Sequence, residues 1–187
     1  MTDVTLRALA AADKDRLLEW RNQPEIARWM YNDHDIIADE HERWFWAALA
    51  DDTRRYWIIQ MDGRPVGLAN LYDLAPRQRK TGWAYYLADP AVRGKGVGAY
   101  VEFWVIDHVF RDLGLAKLWC EVLVDNEAVW KLHESFGFQR EALFRQHVWR
   151  RGEPLDVVGL GLLADDWKRA RPVSRQRLEE KGFTLPD

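Results

Sequence analysis

A glycine-rich run near the middle of the chain constrains its fold more than any other feature. The run consists of Arg93, Gly94, Lys95, Gly96, Val97 and Gly98. It follows a strand-like segment, residues 81–88, and opens a helix-like segment, residues 100–111. Free backbone N–H groups at a helix N-terminus point outward, and the helix dipole favours an anion there. Because glycine lets the backbone turn tightly and approach a ligand closely, the run predicts a bound phosphate or pyrophosphate.

The run differs from two other phosphate-binding motifs. The P-loop pattern Gly-x-x-x-x-Gly-Lys-Ser/Thr does not occur in the chain. The dinucleotide fingerprint Gly-x-Gly-x-x-Gly lacks its third glycine, because Val101 stands in that place. The remaining pattern, Arg-x-x-Gly-x-Gly, carries little weight alone, since short glycine runs also form plain turns.

A second segment makes the pattern informative. After the strand-like residues 117–124, the chain carries a block with Asn126, Ala128, Leu132, Gly137 and Phe138. The two blocks together resemble the Gcn5-related N-acetyltransferase superfamily. The acetyl-CoA loop of that family reads Gln/Arg-x-x-Gly-x-Gly/Ala, and its later block reads Asn…Ala…Leu-Tyr…Gly-Phe. Both blocks stand in the family's order, separated by one helix and one strand.

The resemblance implies an α/β fold and a cosubstrate. The expected sheet is mixed, mostly antiparallel and flanked by helices, and its central strands splay apart. The pantetheine arm of acetyl-CoA would enter the gap and pair with the backbone as an added strand does. No metal is expected. The residues expected to bind acetyl-CoA are Leu87, Ala88, Arg93, Gly94, Lys95, Gly96, Val97, Gly98 and Asn126.

The chain departs from the family at one position. Where the family commonly has a tyrosine that is thought to protonate the departing CoA thiolate, this chain has His133. An imidazolium can donate a proton near neutral pH, since histidine ordinarily titrates near pH 6.5. Glu121, on the neighbouring strand, is the candidate to relay the amine proton through water. The alternatives are a histidine that only packs on the sheet and a strand carboxylate that faces outward.

The N-terminal half points to an acceptor. Residues 19–22, 26–31 and 40–45 resemble the N-acetyltransferases of pseudaminic acid biosynthesis, which acetylate the 4-amine of a UDP-linked amino-dideoxy sugar. A UDP-sugar is an anion, and the planar fork of arginine pairs well with phosphate oxygens. The resemblance implies that Arg21 and His41 contact the nucleotide, together with Lys80. Tyr85 is the expected substrate contact from the next part of the chain, although Tyr86 is the alternative.

Tryptophans are the other notable feature of this half. Trp29, Trp44 and Trp46 cluster before the first long strand, where they either line a pocket for a sugar or base or pack in the interior. Two further functions also stay open. One is a protein N-terminal acetyltransferase of the ribosomal-protein type, which needs a peptide groove. The other is a non-catalytic acyl-CoA-binding module, which the missing tyrosine at position 133 favours.

Length and composition narrow the class of protein. At 187 residues, we expect one N-acetyltransferase domain, 1–170, and a charged C-terminal tail, 171–187, that is helical in part. A net charge of −3 offers no general attraction for nucleic acid, and the single Cys120 allows no disulfide framework. No apolar run reaches the ~18 residues of a membrane span, and residues 1–7 lack a signal peptide's apolar stretch. A cytoplasmic protein without membrane contact is expected, and a homodimer stays open.

Overall fold

The computed structural model describes residues 3–186. Its strands are β1 (Val4–Ala8), β2 (Arg55–Met61), β3 (Arg64–Ala75), β4 (Lys80–Leu87), β5 (Lys117–Leu123), β6 (Gln139–Arg150) and β7 (Glu153–Leu163). Its α-helices are α1 (Lys14–Arg21), α2 (Pro24–Ala27), α3 (Ala38–Ala50), α4 (Val97–Asp107), α5 (Glu127–Ser135) and α6 (Ala164–Glu180). None of the helices in this described range is long and apolar enough to cross a bilayer.

The strands form one sheet in the order β1-β2-β3-β4-β5-β7-β6. All neighbours pair antiparallel except β4 and β5, which are parallel. The parallel pair is joined through α4, because two parallel neighbours need a crossover connection rather than a hairpin. The predicted α/β fold with a mixed, mostly antiparallel sheet is confirmed.

The parallel strands β4 and β5 stay together over only a short distance. They pair at Lys80, Thr81 and Gly82 of β4, opposite the first residues of β5. Beyond Gly82, β4 stays paired with β3 as far as Leu87, while β5 stays paired with β7. A gap therefore opens between the two central strands, and the predicted splay is confirmed. The facing backbone groups in this gap are free to pair with an extended ligand.

Helices cover both faces of the sheet and bury two apolar cores. The larger core joins the sheet to α4, α5 and α6, and the smaller one joins it to α1 and α3. Ile58 and Ile59 are consecutive in β2, yet Ile58 enters the smaller core and Ile59 the larger. Because successive strand side chains point to opposite faces, the two cores lie on opposite sides of the sheet.

The C-terminal segment packs against the domain. Helix α6 runs across position 170 without a break, and Leu178, which lies beyond it, is only 1% exposed. Asp107 of α4 accepts hydrogen bonds from Trp167 Nε1 at 2.7 Å and from Arg171 Nη2 at 2.7 Å. The segment expected to be a charged tail is thus largely helical, as predicted, and it contributes apolar side chains to the larger core.

Candidate active site

A cavity of about 790 Å³ opens at the gap between β4 and β5. Its walls come from β4 and β5, from α1 to α3 on one side, and from the start of α5 on the other. The predicted site residues on its wall are Arg21, His41, Tyr85, Leu87, Arg93, Glu121, Asn126 and His133. The structure thus brings residues from the two halves of the chain to one place.

The glycine turn lies beside this cavity and begins α4. Gly94 and Gly96 have positive φ values of 74° and 83°, a region that glycine adopts without strain. Gly96 is the N-cap of α4 and makes no side-chain cap, so the first N–H groups of the helix are left for a ligand. Val97 is buried and can offer only its backbone, whereas Lys95 is exposed. This arrangement fits the pyrophosphate of acetyl-CoA.

Arg93 ties the same turn to the N-terminal half. Its Nη1 donates to Glu25 Oε2 at 3.3 Å, and both residues lie on the cavity wall. Gly98, the second residue of α4, lies against Tyr85, and a Cβ at that position would stand 2.9 Å from Tyr85 Oη. A larger residue at position 98 would therefore displace the Tyr85 hydroxyl.

The backbone expected to pair with the pantetheine arm is only partly available. Leu87 lines the cavity, but the N–H of Ala88 donates to the Val66 carbonyl at 2.8 Å. This corrects the expectation for Ala88, because its N–H completes the sheet and cannot also bind the arm. Asn126 is the N-cap of α5, and its side chain makes no cap hydrogen bond, so its amide can reach into the cavity.

His133 lies at the inner end of the cavity. It is 3% exposed, and its ring meets those of Trp83 and Phe138 at centroid distances of 5.2 and 5.3 Å. Its Nδ1 is 2.8 Å from Oε1 of Glu102, a fully buried residue of α4. The ring is therefore held by two aromatic neighbours, by the Glu102 carboxylate at Nδ1 and by a hydrogen bond with the Cys120 side chain.

The surroundings change the protonation of this histidine. Burial lowers the pKa of His133. The charges of Glu102 and Cys120, and their hydrogen bonds to the ring, outweigh this effect and raise the pKa to about 10. Burial also raises the pKa of Glu102, which His133 partly offsets. The expectation that His133 titrates near pH 6.5 is therefore corrected, since the buried carboxylate favours the imidazolium.

Glu121 lies on the cavity wall, on β5, and does not face away from the site. Its Oε2 accepts a hydrogen bond from Tyr31 Oη at 2.8 Å. Burial and the charge of Glu121 both raise the pKa of Tyr31, so the phenol keeps its proton and continues to donate. Glu121 is thus a fixed carboxylate beside the gap between the strands.

Arg21 brings a positive charge to the wall formed by α1. It donates to Asn32 Oδ1, and no carboxylate of residues 3–186 forms an ion pair with it. Burial lowers the pKa of Arg21, Tyr86 raises it, the charge of Arg150 lowers it, and the carboxylate of Glu40 raises it. Arg150 donates to the carbonyls of residues 27 and 28, which hold its guanidinium near Arg21. Two neighbouring arginines, neither of them in an ion pair within residues 3–186, can attract an anionic ligand, although the carboxylate of Glu40 also acts on Arg21.

Of the residues predicted to bind the acceptor, Lys80 lies away from the cavity and His41 lines it with one ring nitrogen already engaged. Lys80 is the first residue of β4 and lies outside the cavity wall, seven residues from Leu87 or roughly 23 Å along a strand. The correction follows from the length of β4, because only its far end borders the gap. His41 does line the cavity, but its Nε2 donates to the Lys14 carbonyl at 2.7 Å and so joins α3 to α1.

The structure also separates the two tyrosines of β4. Tyr85 stacks on Trp83 at a centroid distance of 5.4 Å and packs toward Gly98, on the side of the glycine turn. Tyr86 meets Trp20 edge-on at 6.4 Å and lies near Arg21. Both tyrosines line the cavity, and their side chains point to opposite faces of β4 because alternate strand residues do so.

Some site residues escaped the sequence analysis. Glu102 carries one available signal, a lone carboxylate between the apolar residues Val101 and Phe103, whereas Tyr31 carries none that separates it from packing residues. Of the three clustered tryptophans, Trp29 and Trp44 line the cavity. Within residues 3–186, no group of three or more His, Cys, Asp or Glu side chains could hold a metal ion.

Comparison with known proteins identifies the class. Residues 3–139 match the family model of the acetyltransferase (GNAT) domain. Aminoglycoside N(6′)-acetyltransferase type 1 of Klebsiella pneumoniae is 26% identical over 152 residues, covering 74% of this chain and 75% of that protein. Spermidine N(1)-acetyltransferase of Vibrio cholerae is 24% identical over 163 residues, covering 87% and 94%. The crystal structure of a Vibrio cholerae spermidine N-acetyltransferase with CoA and spermine has a TM-score of 0.82 at 23% identity, over 88% of this chain and 98% of that one.

The chain therefore belongs to the GNAT acetyltransferase family. It is an acetyl-CoA-dependent N-acetyltransferase that acts on an amine, as the sequence analysis predicted. The names of the relatives above refer to aminoglycosides and spermidine and not to a nucleotide sugar. The predicted superfamily is confirmed, whereas the closer relation to the pseudaminic acid enzymes has no support among these relatives.

Proposed function

We propose that the protein acetylates a primary amine of a small molecule that carries an acidic group elsewhere, such as a UDP-linked amino sugar. The observation that carries this proposal is a single cavity with a carboxylate on its β5 wall and an arginine without an ion-pair partner on its α1 wall. Glu121 attracts a protonated amine. Arg21 attracts a phosphate or carboxylate, which its planar fork can bind through two hydrogen bonds.

The cavity residues supply the two proton transfers that the reaction needs. The amine nitrogen, once deprotonated, attacks the thioester carbonyl, and the carbon–sulfur bond breaks with its electron pair on sulfur. Glu121 takes the amine proton, directly or through one water, and Tyr31 holds the carboxylate in place. His133 gives its Nε2 proton to the CoA thiolate and regains a proton from solvent afterwards. Gly96 and its neighbours hold the pyrophosphate, so that the thioester reaches the gap between the strands.

The acidic end of the acceptor would lie toward α1 and α2. Arg21 is half-buried there, and Arg150 is fixed beside it. Trp29 and Trp44 line the same cavity and can cover a sugar ring or a base. An acceptor with a phosphate, a ring and an amine would therefore find a partner for each part within one cavity.

A polycationic amine is the second candidate. It is favoured by the names of the relatives and by the cavity carboxylates Glu25, Glu40 and Glu121. The same wall also carries Arg21, Arg28, Arg54 and Arg93. Arg28 and Arg93 pair with Glu25, and Arg54 pairs with Asp51, so the repulsion of a polyamine comes mainly from Arg21, because like charges in a partly desolvated site repel strongly.

Turnover with a panel of acceptors tests the proposal. CoA release is measured with acetyl-CoA and, in turn, a UDP-linked amino sugar, spermidine, an aminoglycoside and a ribosomal N-terminal peptide. We expect the highest kcat/KM with the UDP-linked amino sugar, and we expect free UDP to compete with that acceptor. A higher kcat/KM for spermidine or the aminoglycoside, without inhibition by UDP, would overturn the acidic-acceptor proposal and favour the second candidate. Preference for the peptide would point to a protein acceptor instead.

A further inference from the structure

A buried hydrogen bond between α4 and α5 supports an inference that rests on the proposed function and deepens it. Glu102 is 0% exposed and lies between Val101 and Phe103, which are also fully buried. Its Oε1 is 2.8 Å from Nδ1 of His133, and within residues 3–186 its Oε2 has no hydrogen-bond partner. A carboxylate in such surroundings costs free energy, and one hydrogen bond to a buried histidine offsets that cost only in part. For the stability of the fold alone, an apolar residue would serve better.

We propose that Glu102 is a positioning residue that engages Nδ1 of His133 and thereby keeps the transferable proton on Nε2. The shared proton can sit on either partner of the pair. If it sits on the ring, both ring nitrogens carry hydrogen. If it sits on the carboxyl group, Nδ1 becomes an acceptor and the neutral ring carries its hydrogen on Nε2. In both states, Nε2 is the nitrogen that can donate to the CoA thiolate.

The other neighbours of the imidazole cannot take over this task. Trp83 and Phe138 confine the ring but neither accepts its proton. The remaining titratable groups around the pair are Cys120 of β5 and Tyr85 of β4. Burial raises the pKa of Tyr85, which therefore stays neutral. Cys120 also hydrogen-bonds to the ring, but Glu102 is the carboxylate that contacts Nδ1, so its removal changes both the tautomer and the basicity of the ring.

The test compares Glu102→Gln with the unmodified protein. Glutamine keeps the size of the side chain and removes its charge, so we expect kcat to fall by about tenfold to a hundredfold while acetyl-CoA affinity is unchanged. The alkaline fall in kcat should move to lower pH, because the buried imidazole loses the carboxylate that holds its proton. Glu102→Asp should recover part of kcat. A pH titration of the His133 ring followed by nitrogen NMR measures the same decrease in the pKa of the imidazole, and it does not depend on enzyme activity.

A matched control lies on the surface. Asp112 Oδ2 is 2.8 Å from His108 Nδ1, the same kind of contact, in the π-helical turn that follows α4. We expect Asp112→Asn to leave kcat and its pH profile unchanged. An unchanged kcat and pH profile in folded Glu102→Gln would overturn the proposal, as would nitrogen NMR of the unmodified protein showing a neutral His133 ring with its hydrogen on Nδ1 instead of Nε2. The latter measurement decides the matter even if the glutamine variant does not fold.

One further variant separates this inference from the proposed function. If His133→Phe keeps a normal kcat, the acid role of His133 fails and the positioning role fails with it. If kcat falls in His133→Phe, while Glu102→Gln keeps a normal kcat and a normal alkaline fall in its pH profile, only the positioning role of Glu102 is wrong. We expect Glu102→Gln to have no additional effect in a His133→Phe background, because each change then removes the same interaction.

Discussion

At the scale of single residues, one buried carboxylate changes what the histidine at position 133 can do. Burial alone lowers the pKa of an imidazole below its ordinary value near 6.5, which would leave the ring neutral at physiological pH. Glu102 and Cys120 reverse this effect and raise the pKa of His133 to about 10. The protonated form is present below the pKa, so the proton donor persists through neutral pH and is lost only as the pH rises through about 10.

We expect His133→Phe to lower kcat with little change in acetyl-CoA affinity. Phenylalanine keeps nearly the same shape between Trp83 and Phe138 but offers no proton. General acid catalysis contributes roughly 10²–10⁴-fold, which is the expected loss in steady-state kcat. His133→Tyr should restore part of the rate, because a phenol can also donate. A near-normal kcat in His133→Phe would show that water protonates the thiolate.

We expect Arg21→Ala to weaken acceptor binding and to leave acetyl-CoA binding intact. Loss of a charge-assisted hydrogen bond costs about 1.5–3 kcal/mol, or roughly ten- to hundredfold in acceptor KM or in the Kd for UDP. Arg16→Ala is the control, since Arg16 lies on the same helix and pairs with Asp13. Equal losses for UDP and acetyl-CoA in Arg21→Ala would instead point to damaged folding.

At the scale of elements, the turn before α4 is determined by its own residues. Gly94 and Gly96 both need a positive φ, and the helix that follows leaves its first N–H groups free. The two glycines differ in their surroundings. A Cβ at Gly96 would stand 2.9 Å from Phe183, whereas one at Gly94 would meet nothing within 4 Å. A charge can therefore be introduced at Gly94 without a steric clash.

We expect Gly94→Asp to weaken acetyl-CoA binding by roughly tenfold or more relative to Gly94→Asn. Both side chains tolerate a positive φ, so the pair differs mainly in one negative charge beside the expected pyrophosphate. Calorimetric titration with acetyl-CoA measures the difference. Equal affinities of the two variants would mean that the pyrophosphate does not bind at this turn.

At the scale of the whole molecule, the last helix belongs to the packed structure. Leu178, Phe183 and Leu185 are buried in the larger core, and Arg171 bonds to Asp107 of α4. Each such apolar side chain contributes about 1.5–3 kcal/mol when buried. Their sum approaches the total stability of an ordinary domain, about 5–15 kcal/mol. The domain boundary expected at residue 170 can thus be tested by truncation.

We expect a chain ending at residue 170 to lose cooperative thermal unfolding. The point change Leu178→Ala should lower the free energy of unfolding by about 2–5 kcal/mol, because it leaves a cavity in the core. The control is Val173→Ala on the same helix, where the side chain is 59% exposed and the expected change is within about 0.5 kcal/mol. Cooperative unfolding of the truncated chain at an unchanged temperature would show that residues 171–187 are dispensable.

By itself, the sequence determined the features that depend on neighbouring residues. The strand, glycine turn and helix around Gly96 follow from backbone preferences of residues that are close together along the chain. The mixed sheet and its splayed strands were implied by the family resemblance that the two motif blocks carry, and the structure has both. Glu121 and His133, predicted from the same resemblance, line the cavity at the splay.

Only the tertiary structure decided which distant groups meet. Glu102 and His133 are 31 residues apart, and nothing local indicates that their side chains share a hydrogen bond. The same holds for His41, whose Nε2 is engaged by a carbonyl of α1, and for Lys80, which the length of β4 removes from the cavity. The type of a residue determines which chemistry its side chain can perform. The packing of helices on both faces of the sheet decides which partner each group has, how far it is desolvated and whether it reaches the acceptor.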